Sequence, residues 1–291
     1  MNFFSVSLRS GSSGNSTFIQ TESAALAVDC GMNGRQFALA LQQVGRSAGA
    51  VDALLLTHEH TDHCSGVGVV MRRHKIPLYL TAGTYEAIRD VLGPVPDSLI
   101  HIIEAGQAFM VLDTEIIPFA TPHDAVDSVG FRIRTRAGDV GVATDLGHFS
   151  QTVRQALEGC RIVHLEANYD PDMLETGSYP RFLKRRIAGP NGHLSNEEAA
   201  LAAAWLIGRG TDLIALSHLS QENNLPDLAL RTIRDYLLAG GMVEGCDYRL
   251  EVSPRYRSSS PFFCDKPMDQ DLEIQKGSCP GEQQTFFEGA C

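Results

Sequence analysis

Thr57-His58-Glu59-His60-Thr61-Asp62-His63 gathers four potential metal ligands into six consecutive positions. The apolar run before it, Ala53-Leu54-Leu55-Leu56, reads as a short buried strand. Side chains alternate along an extended backbone, so His58 and His60 point the same way. Asp62 and His63 then fall on the turn beyond the strand. One strand end can thus offer two imidazoles to one ion, and a carboxylate with an imidazole to a second. Nitrogen and oxygen donors of this kind suit borderline divalent metals such as zinc, manganese or iron. A solvated turn with chance histidines is the bland alternative, and four ligands in one motif argue against it.

The pattern H-x-H-x-D-H at a strand end is the signature of the metallo-β-lactamase superfamily, which this chain resembles. Further pieces follow in order: His123 in Ala120-Thr121-Pro122-His123-Asp124, Asp145 in Val142-Ala143-Thr144-Asp145-Leu146-Gly147, and His218 in Leu216-Ser217-His218-Leu219-Ser220. Each follows an apolar, strand-like run, so ligands from several strand ends would converge on one rim. The closer resemblance is to the YycJ/WalJ-type branch, small proteins regarded as DNA exonucleases and related to RNase Z-like nucleases. It is carried by Gly11-Ser12-Ser13-Gly14-Asn15-Ser16, Asp124 to Gly130, Leu165-Glu166-Ala167-Asn168-Tyr169-Asp170, Gly192-His193-Leu194-Ser195-Asn196 and His218 to Asn224. It covers about residues 1–253.

This resemblance implies an α/β (α+β) fold, the four-layer αββα metallo-β-lactamase sandwich. It implies two divalent metal ions, zinc or manganese. One ion would take His58, His60, His123 and Asp145; the other would take Asp62, His63, Asp145 and His218. Asp145 is the natural bridge, because one carboxylate can face two cations with its two oxygens. Ions about 3.5–4 Å apart can clamp the attacking and leaving oxygens of one phosphate. Asp62 would also orient the attacking hydroxide. His193 sits in a polar loop before a helix whose start is marked by Ser195 and Glu198, a capping box. Its position resembles the non-ligand histidine of RNase Z, which implies contact with the scissile phosphate or protonation of the leaving oxygen. The reverse assignment, His193 as ligand and His218 as catalytic residue, stays open because spacing does not separate them. The implied activity is hydrolysis of phosphodiester bonds, with DNA favoured over RNA as substrate.

Two readings compete with this one. The same ions could direct attack on the carbonyl of a thioester, lactone or other carboxyl ester. A metal-bound but non-catalytic scaffold is the other. The two His-Leu-Ser segments weigh against the first, and the full set of ligands weighs against the second.

Candidate substrate contacts are fewer. Gly11 to Ser16 is either a flexible hairpin loop or a cradle in which Ser12, Ser13 and Asn15 meet an anion. Arg181, Lys184, Arg185 and Arg186 form the densest basic cluster, and Arg72, Arg73, His74 and Lys75 form another. Charge runs usually mark solvated faces, but Arg181 and Lys184 could track a nucleic-acid backbone beside the metals, with Tyr179 and Phe182 available for stacking. Cys64, next to the motif, reads as a small packed residue rather than a ligand.

The supporting elements are legible from periodicity. Phe3–Leu8, Thr17–Gln20, Leu26–Val28 and Ile116–Ala120 read as strands, and Val129–Arg134 alternates as a half-exposed strand does. Val140–Ala143, Ile162–Leu165 and Leu213–Leu216 read as strands too. Helical spacing marks Arg35–Val44, Val67–His74, Tyr85–Leu92, Thr152–Leu157, Asn196–Ile207 and Asp227–Leu238. From these patterns alone the class is mixed α and β. A catalytic domain over 1–253 is expected, with Pro254–Cys291 as a poorly ordered tail.

The 291 residues carry 24 basic and 35 acidic side chains, a net charge of −11. That argues against attraction to a polyanion over the whole surface, though not against a local basic groove. No apolar run is long enough for a membrane-spanning helix, and the first ten residues lack a secretory apolar core. Seven scattered cysteines without a C-x-x-C pair suggest free thiols and a cytoplasmic protein. Oligomeric state is left open.

Overall fold

A computed structural model of the protein describes residues 3–263. The first half runs β1 (Phe4–Arg9), β2 (Ser16–Gln20), β3 (Ala25–Val28), α1 (Gly34–Gln43), β4 (Ala53–Leu55), α2 (Thr61–Cys64), α3 (Val67–His74), β5 (Leu78–Thr81), α4 (Ala82–Leu92) and β6 (Ile100–Ile103). The second half opens with β7 (Phe109–Val111), β8 (Thr114–Ala120), β9 (Val129–Ile133), β10 (Val140–Ala143), α5 (Gln151–Leu157), β11 (Ile162–Glu166) and α6 (Pro171–Thr176). It closes with α7 (Arg181–Ile187), α8 (Asn196–Ile207), β12 (Leu213–Ser217), α9 (Pro226–Ala239) and β13 (Arg249–Val252).

Each half builds one sheet, and the two sheets share a plan. The first has order β1-β2-β3-β4-β5-β6, antiparallel through β3 and parallel from β3 to β6. The second has order β7-β8-β9-β10-β11-β12-β13, antiparallel through β10 and parallel beyond it. Alternation along the strands explains why both sheets are covered on both faces. Leu54 and Leu56 face outward into a cluster with Phe37, Leu41, Val70 and Ile88 of α1, α3 and α4. Leu55 faces inward, where it joins Leu26, Ile116, Phe131, Val142 and Leu213 between the sheets. Ile214 and Leu216 face outward again, under Val153, Ala199 and Ile233 of α5, α8 and α9. Strands buried on both faces carry continuous apolar runs, as the sequence does at 53–56 and 213–216. The result is the expected αββα sandwich.

Two differences from the sequence reading concern its edges. Helix α4 starts at Ala82 rather than Tyr85, because the Thr81 side chain caps it by accepting from the Thr84 backbone. Residues 254–263 pack onto the sandwich instead of trailing from it. Phe262 is buried and exchanges both backbone hydrogen bonds with Ser5 on β1, at 2.7 and 3.0 Å. A single bridging residue has no periodicity to reveal it, so the expected boundary at 253 lies too early. The rest of the expected tail lies outside the described residues.

Cys30, Cys64 and Cys160 are free and buried, and burial pushes their thiols up to about 12, 11 and 12 respectively. Cys246 is disulfide-bonded, a departure from the expectation of free thiols throughout. No helix among the described residues is long and apolar enough to cross a membrane.

Candidate metal centre

The site lies where strands end. The histidine motif leaves β4, His123 follows β8, Asp145 follows β10, Glu166 closes β11 and His218 follows β12. Asp29 leaves β3 in the same way. Asp29, Asp145 and His218 all adopt left-handed backbone conformations, with φ of 62°, 60° and 59°. Asp and His are among the few non-glycine residues that tolerate this region. The conformation turns the chain sharply off each strand and costs on the order of 1–3 kcal/mol per residue, which the surrounding packing must hold.

Asp62 and His63 stand on α2, a single helical turn beyond the strand. Gly31 makes this possible. It lies against the Asp62 backbone so closely that a Cβ there would come within 1.5 Å of the Asp62 carbonyl oxygen. Asn15 N–H donates to that same carbonyl at 2.7 Å, and Cys30 N–H donates to the His63 carbonyl at 2.9 Å. The loops after β1 and β3 therefore clasp the motif.

All the expected ligands converge. One group is His58, His60 and His123; a second is Asp62, His63 and His218. His123 Nε2 is 3.3 Å from His60 Nδ1. Nitrogens bound to one tetrahedral zinc stand roughly 3.3–3.4 Å apart, given metal–nitrogen bonds of about 2.0–2.1 Å. In the second group, His218 Nε2 is 3.3 Å from Asp62 Oδ2, and His63 Nε2 is 3.6 Å from the same oxygen. Asp145 lies between the groups, with Oδ1 3.7 Å from His123 Nε2 and Oδ2 3.2 Å from His63 Nε2. His58 Nε2 is buried and makes no hydrogen bond. Buried polar atoms without partners are rare, and a cation would satisfy it. The donor set thus fits divalent metal.

Surrounding groups fix which nitrogen each ring presents. Asp29 Oδ2 holds His63 Nδ1 at 2.7 Å, and the Gly192 carbonyl holds His123 Nδ1 at 3.1 Å. Thr57 Oγ1 contacts His58 Nδ1 at 3.0 Å while donating to Asp29. Such contacts orient metal-binding imidazoles. Glu166 Oε1 contacts both His218 Nδ1, at 2.8 Å, and His193 Nδ1, at 2.9 Å. Its other oxygen accepts from the Leu146 and Leu194 amides at 2.7 and 3.1 Å. His218 Nε2 is thereby aimed at Asp62, and the Nε2 of His193 is left for the cavity.

Charge follows from this crowding. Burial lowers the His58 imidazole well below its usual range, and His63 adds to the effect. Burial alone would lower His63 as well, but Asp145, Asp29 and Asp62 hold it well above that range. Against the same burial, Asp145, Asp62 and Glu166 raise His218 to about 10. Burial alone would raise Asp145 and Glu166. His218 and His63 hold Asp145 well below the carboxylate range, and His193 and His218 bring Glu166 to about 2. These carboxylates demand positive charge, which protons or a divalent ion can supply. Metal binding would therefore release protons.

The groups open into a cavity of about 490 Å³ whose walls include Ser12, Asp62, Tyr179, Arg186, His193 and His218. Of the expected substrate contacts, Ser12, Tyr179 and Arg186 line it. Ser13 is exposed outside it. Asn15 is buried and donates to Asp62 Oδ2 at 3.1 Å, so it braces the motif. Arg181 and Lys184 line a neighbouring cavity on the other side of α7. Cys64 is buried with its thiol on the Glu59 carbonyl, as a packed residue would be.

The sequence reading assigns no role to Asp29, Glu166 or Asn168. Asn168 donates to the His218 carbonyl at 2.8 Å and lines the cavity. Asp29 immediately follows an apolar strand, Glu166 closes one, and Asn168 stands two residues beyond it, as Asp145 stands two residues beyond β10.

Comparisons with known proteins agree with this architecture. Residues 25–214 match the model of the beta-lactamase superfamily domain. The chain belongs to that family, and its two-sheet sandwich with a histidine- and aspartate-rich rim is that of a metal-dependent hydrolase. Over 250 residues it is 37% identical to exodeoxyribonuclease WalJ of Streptococcus pneumoniae, covering 85% of this chain and 93% of the relative. It is 34% identical to exodeoxyribonuclease YycJ of Bacillus anthracis over 242 residues, 83% of this chain and 91% of that protein. Zn(2+)-bound PqqB from Methylobacterium extorquens shares the fold, with a TM-score of 0.67 at 16% identity over 88% of this chain and 99% of that one.

Proposed function

We propose that this chain is a dinuclear, metal-dependent phosphodiesterase that removes nucleotides from DNA ends. The observation that carries the reading is the pairing of two ligand clusters across Asp145, whose oxygens lie 3.2 Å from His63 Nε2, 3.4 Å from His218 Nδ1 and 3.7 Å from His123 Nε2. Its near full-length relatives named exodeoxyribonuclease support DNA as the substrate. His58, His60, His123 and Asp145 would hold one ion; Asp62, His63, Asp145 and His218 would hold the other. All-nitrogen-and-oxygen ligation suits zinc or manganese. When bound, such ions lower the pKa of water so that it attacks at neutral pH, and they offset charge on the phosphate.

The protein's own groups do the rest. Asp62 orients the attacking oxygen from its place on α2. His193 has its Nδ1 fixed by Glu166, so its Nε2 delivers the proton to the leaving oxygen. Its greater exposure in the cavity wall, 18% against 5% for the His218 side chain, supports this role, while His218 sits among the ligands of the second group.

The test compares manganese-loaded protein on bis(p-nitrophenyl) phosphate and on a thioester. Turnover of the phosphodiester, lost in Asp62→Ala, supports the reading. Turnover of the thioester alone would overturn it in favour of carboxyl-ester hydrolysis.

A further inference from the structure

Helix α7 separates two cavities, and its sequence divides between them. With about 100° per residue, Arg181, Lys184, Arg185 and Ala188 at its C-cap share one face, while Leu183, Arg186 and Ile187 share the opposite one. The structure matches: the first set lines a cavity of about 650 Å³ together with Tyr169 and Glu175, and the second set lines the metal cavity. Phe182 projects between Arg185 and Arg186, on the crest joining the two faces. It is 74% exposed, the most exposed large apolar side chain of the described residues. Burial does not explain it.

The charge on this helix is as unusual as its aromatic. Four of its seven residues are basic in a chain whose net charge is −11. Arg186 is engaged by Asp124, and Lys184 Nζ donates to the Glu175 carbonyl. Arg181 and Arg185 are exposed, and among the described residues no carboxylate pairs with either. A basic groove with an adjacent bare aromatic is the arrangement that binds single strands without reading sequence: cations follow the phosphates and the ring stacks on a base.

We propose that α7 is a strand guide: single-stranded DNA leaving the metal cavity crosses Phe182, which stacks on a base, and seats a phosphate in the cavity of Arg181 and Arg185. This rests on the nuclease reading for its substrate and extends it to nucleotides remote from the reacting phosphate. It also accounts for DNA binding by an acidic protein, because the attraction is confined to one helix beside the site.

The test is fluorescence anisotropy with the metal-loaded full chain and a labelled, phosphorothioate-linked oligothymidine, which resists cleavage. Phe182→Ala is expected to weaken binding roughly fivefold or more, and Phe182→Trp to retain it, since any aromatic ring can stack. Arg181→Glu/Arg185→Glu is expected to weaken binding and to flatten the slope of log affinity against log salt by about 0.7 for each phosphate left without its cation. All three side chains are exposed, so the fold is not at risk. Binding within twofold of wild type in both the alanine and the glutamate variants overturns the proposal. So does weakening in only one of them, because a strand that reaches the basic cavity must pass the ring. Cleavage of ordinary DNA by the wild type is scored separately. Guide-dependent binding without cleavage leaves the guide standing and sinks the nuclease reading. Cleavage of equal efficiency in all variants does the reverse.

Discussion

Gly31→Ala is the smallest change that should disable half of the metal centre. The new Cβ would lie 1.5 Å from the Asp62 carbonyl oxygen, 2.2 Å from its carbon and 2.8 Å from the Asn15 nitrogen. Contacts under 3.0 Å are essentially never seen, so the Asp62 carbonyl must retreat by at least 3.0 − 1.5 = 1.5 Å. The obstacle is backbone on both sides, and no flexible side chain can yield. Metal–ligand distances tolerate about ±0.2 Å, so a shift of this size takes Asp62 and His63 out of coordination range. His58 and His60 precede α2 at the end of β4 and His123 follows β8, so the displacement falls on them less. The expected outcome is protein that folds with a loss of roughly 1–3 kcal/mol from overpacking, holds one metal instead of two, and turns over phosphodiester at least about a hundredfold more slowly. Metal content by mass spectrometry, urea denaturation and dye hydrolysis read these three quantities. A Gly31→Ala protein with two metals and near wild-type turnover would refute the clasping of the motif by Gly31.

Three further predictions follow from the groups around the metals. His193→Ala should slow DNA hydrolysis by about 10²–10⁴, the usual worth of a general acid, yet cost far less on bis(p-nitrophenyl) phosphate, whose leaving group needs no proton; equal losses on both would remove the proton-donor role. Asp29→Asn should weaken metal binding about 10–100-fold by releasing His63 Nδ1, read by competition with a chelating dye, and unchanged affinity would show that Asp29 does not orient the ring. In metal-free protein, Glu166→Gln should cost about 3 kcal/mol at pH 7, because the carboxyl falls from 4.5 to about 2 on folding. Its folded pKa is depressed, so the contribution is complete above pH 4.5 and fades as pH falls toward 2; urea midpoints that differ equally at pH 7 and pH 3 would contradict this.

Much of the site is legible because its ligands sit where hydrophobic runs stop. An apolar strand ending in His, Asp or Glu is visible in one dimension, and that signal marks the motif, His123, Asp145 and His218, which the family resemblance and their order along the chain then single out. Glu166 carries the same mark but closes β11 from within the buried sheet, where a carboxylate without visible partners looks like an ordinary strand end. Its partners are remote: His193 is 27 residues away and His218 is 52. The division of labour between those two histidines is likewise set by a shared oxygen that only the folded chain supplies. Asn15 reads as a possible anion contact because it lies in a glycine-rich loop; burial against Asp62 makes it a brace. Helix α7 is hard to see because seven residues with four cations show no apolar stripe. For α4 and for the segment ending at Phe262, the extents are set by a threonine cap and a lone backbone bridge, neither of which has a period.

The central claim is that the paired clusters cleave DNA from its ends. Its most direct test is incubation of end-labelled duplex DNA, single-stranded DNA and RNA with the manganese-loaded protein, beside an Asp62→Ala/His63→Ala control. Stepwise shortening of DNA, absent from the control, is the expected result. Protein shown to hold two metals that shortens no nucleic acid would contradict the claim.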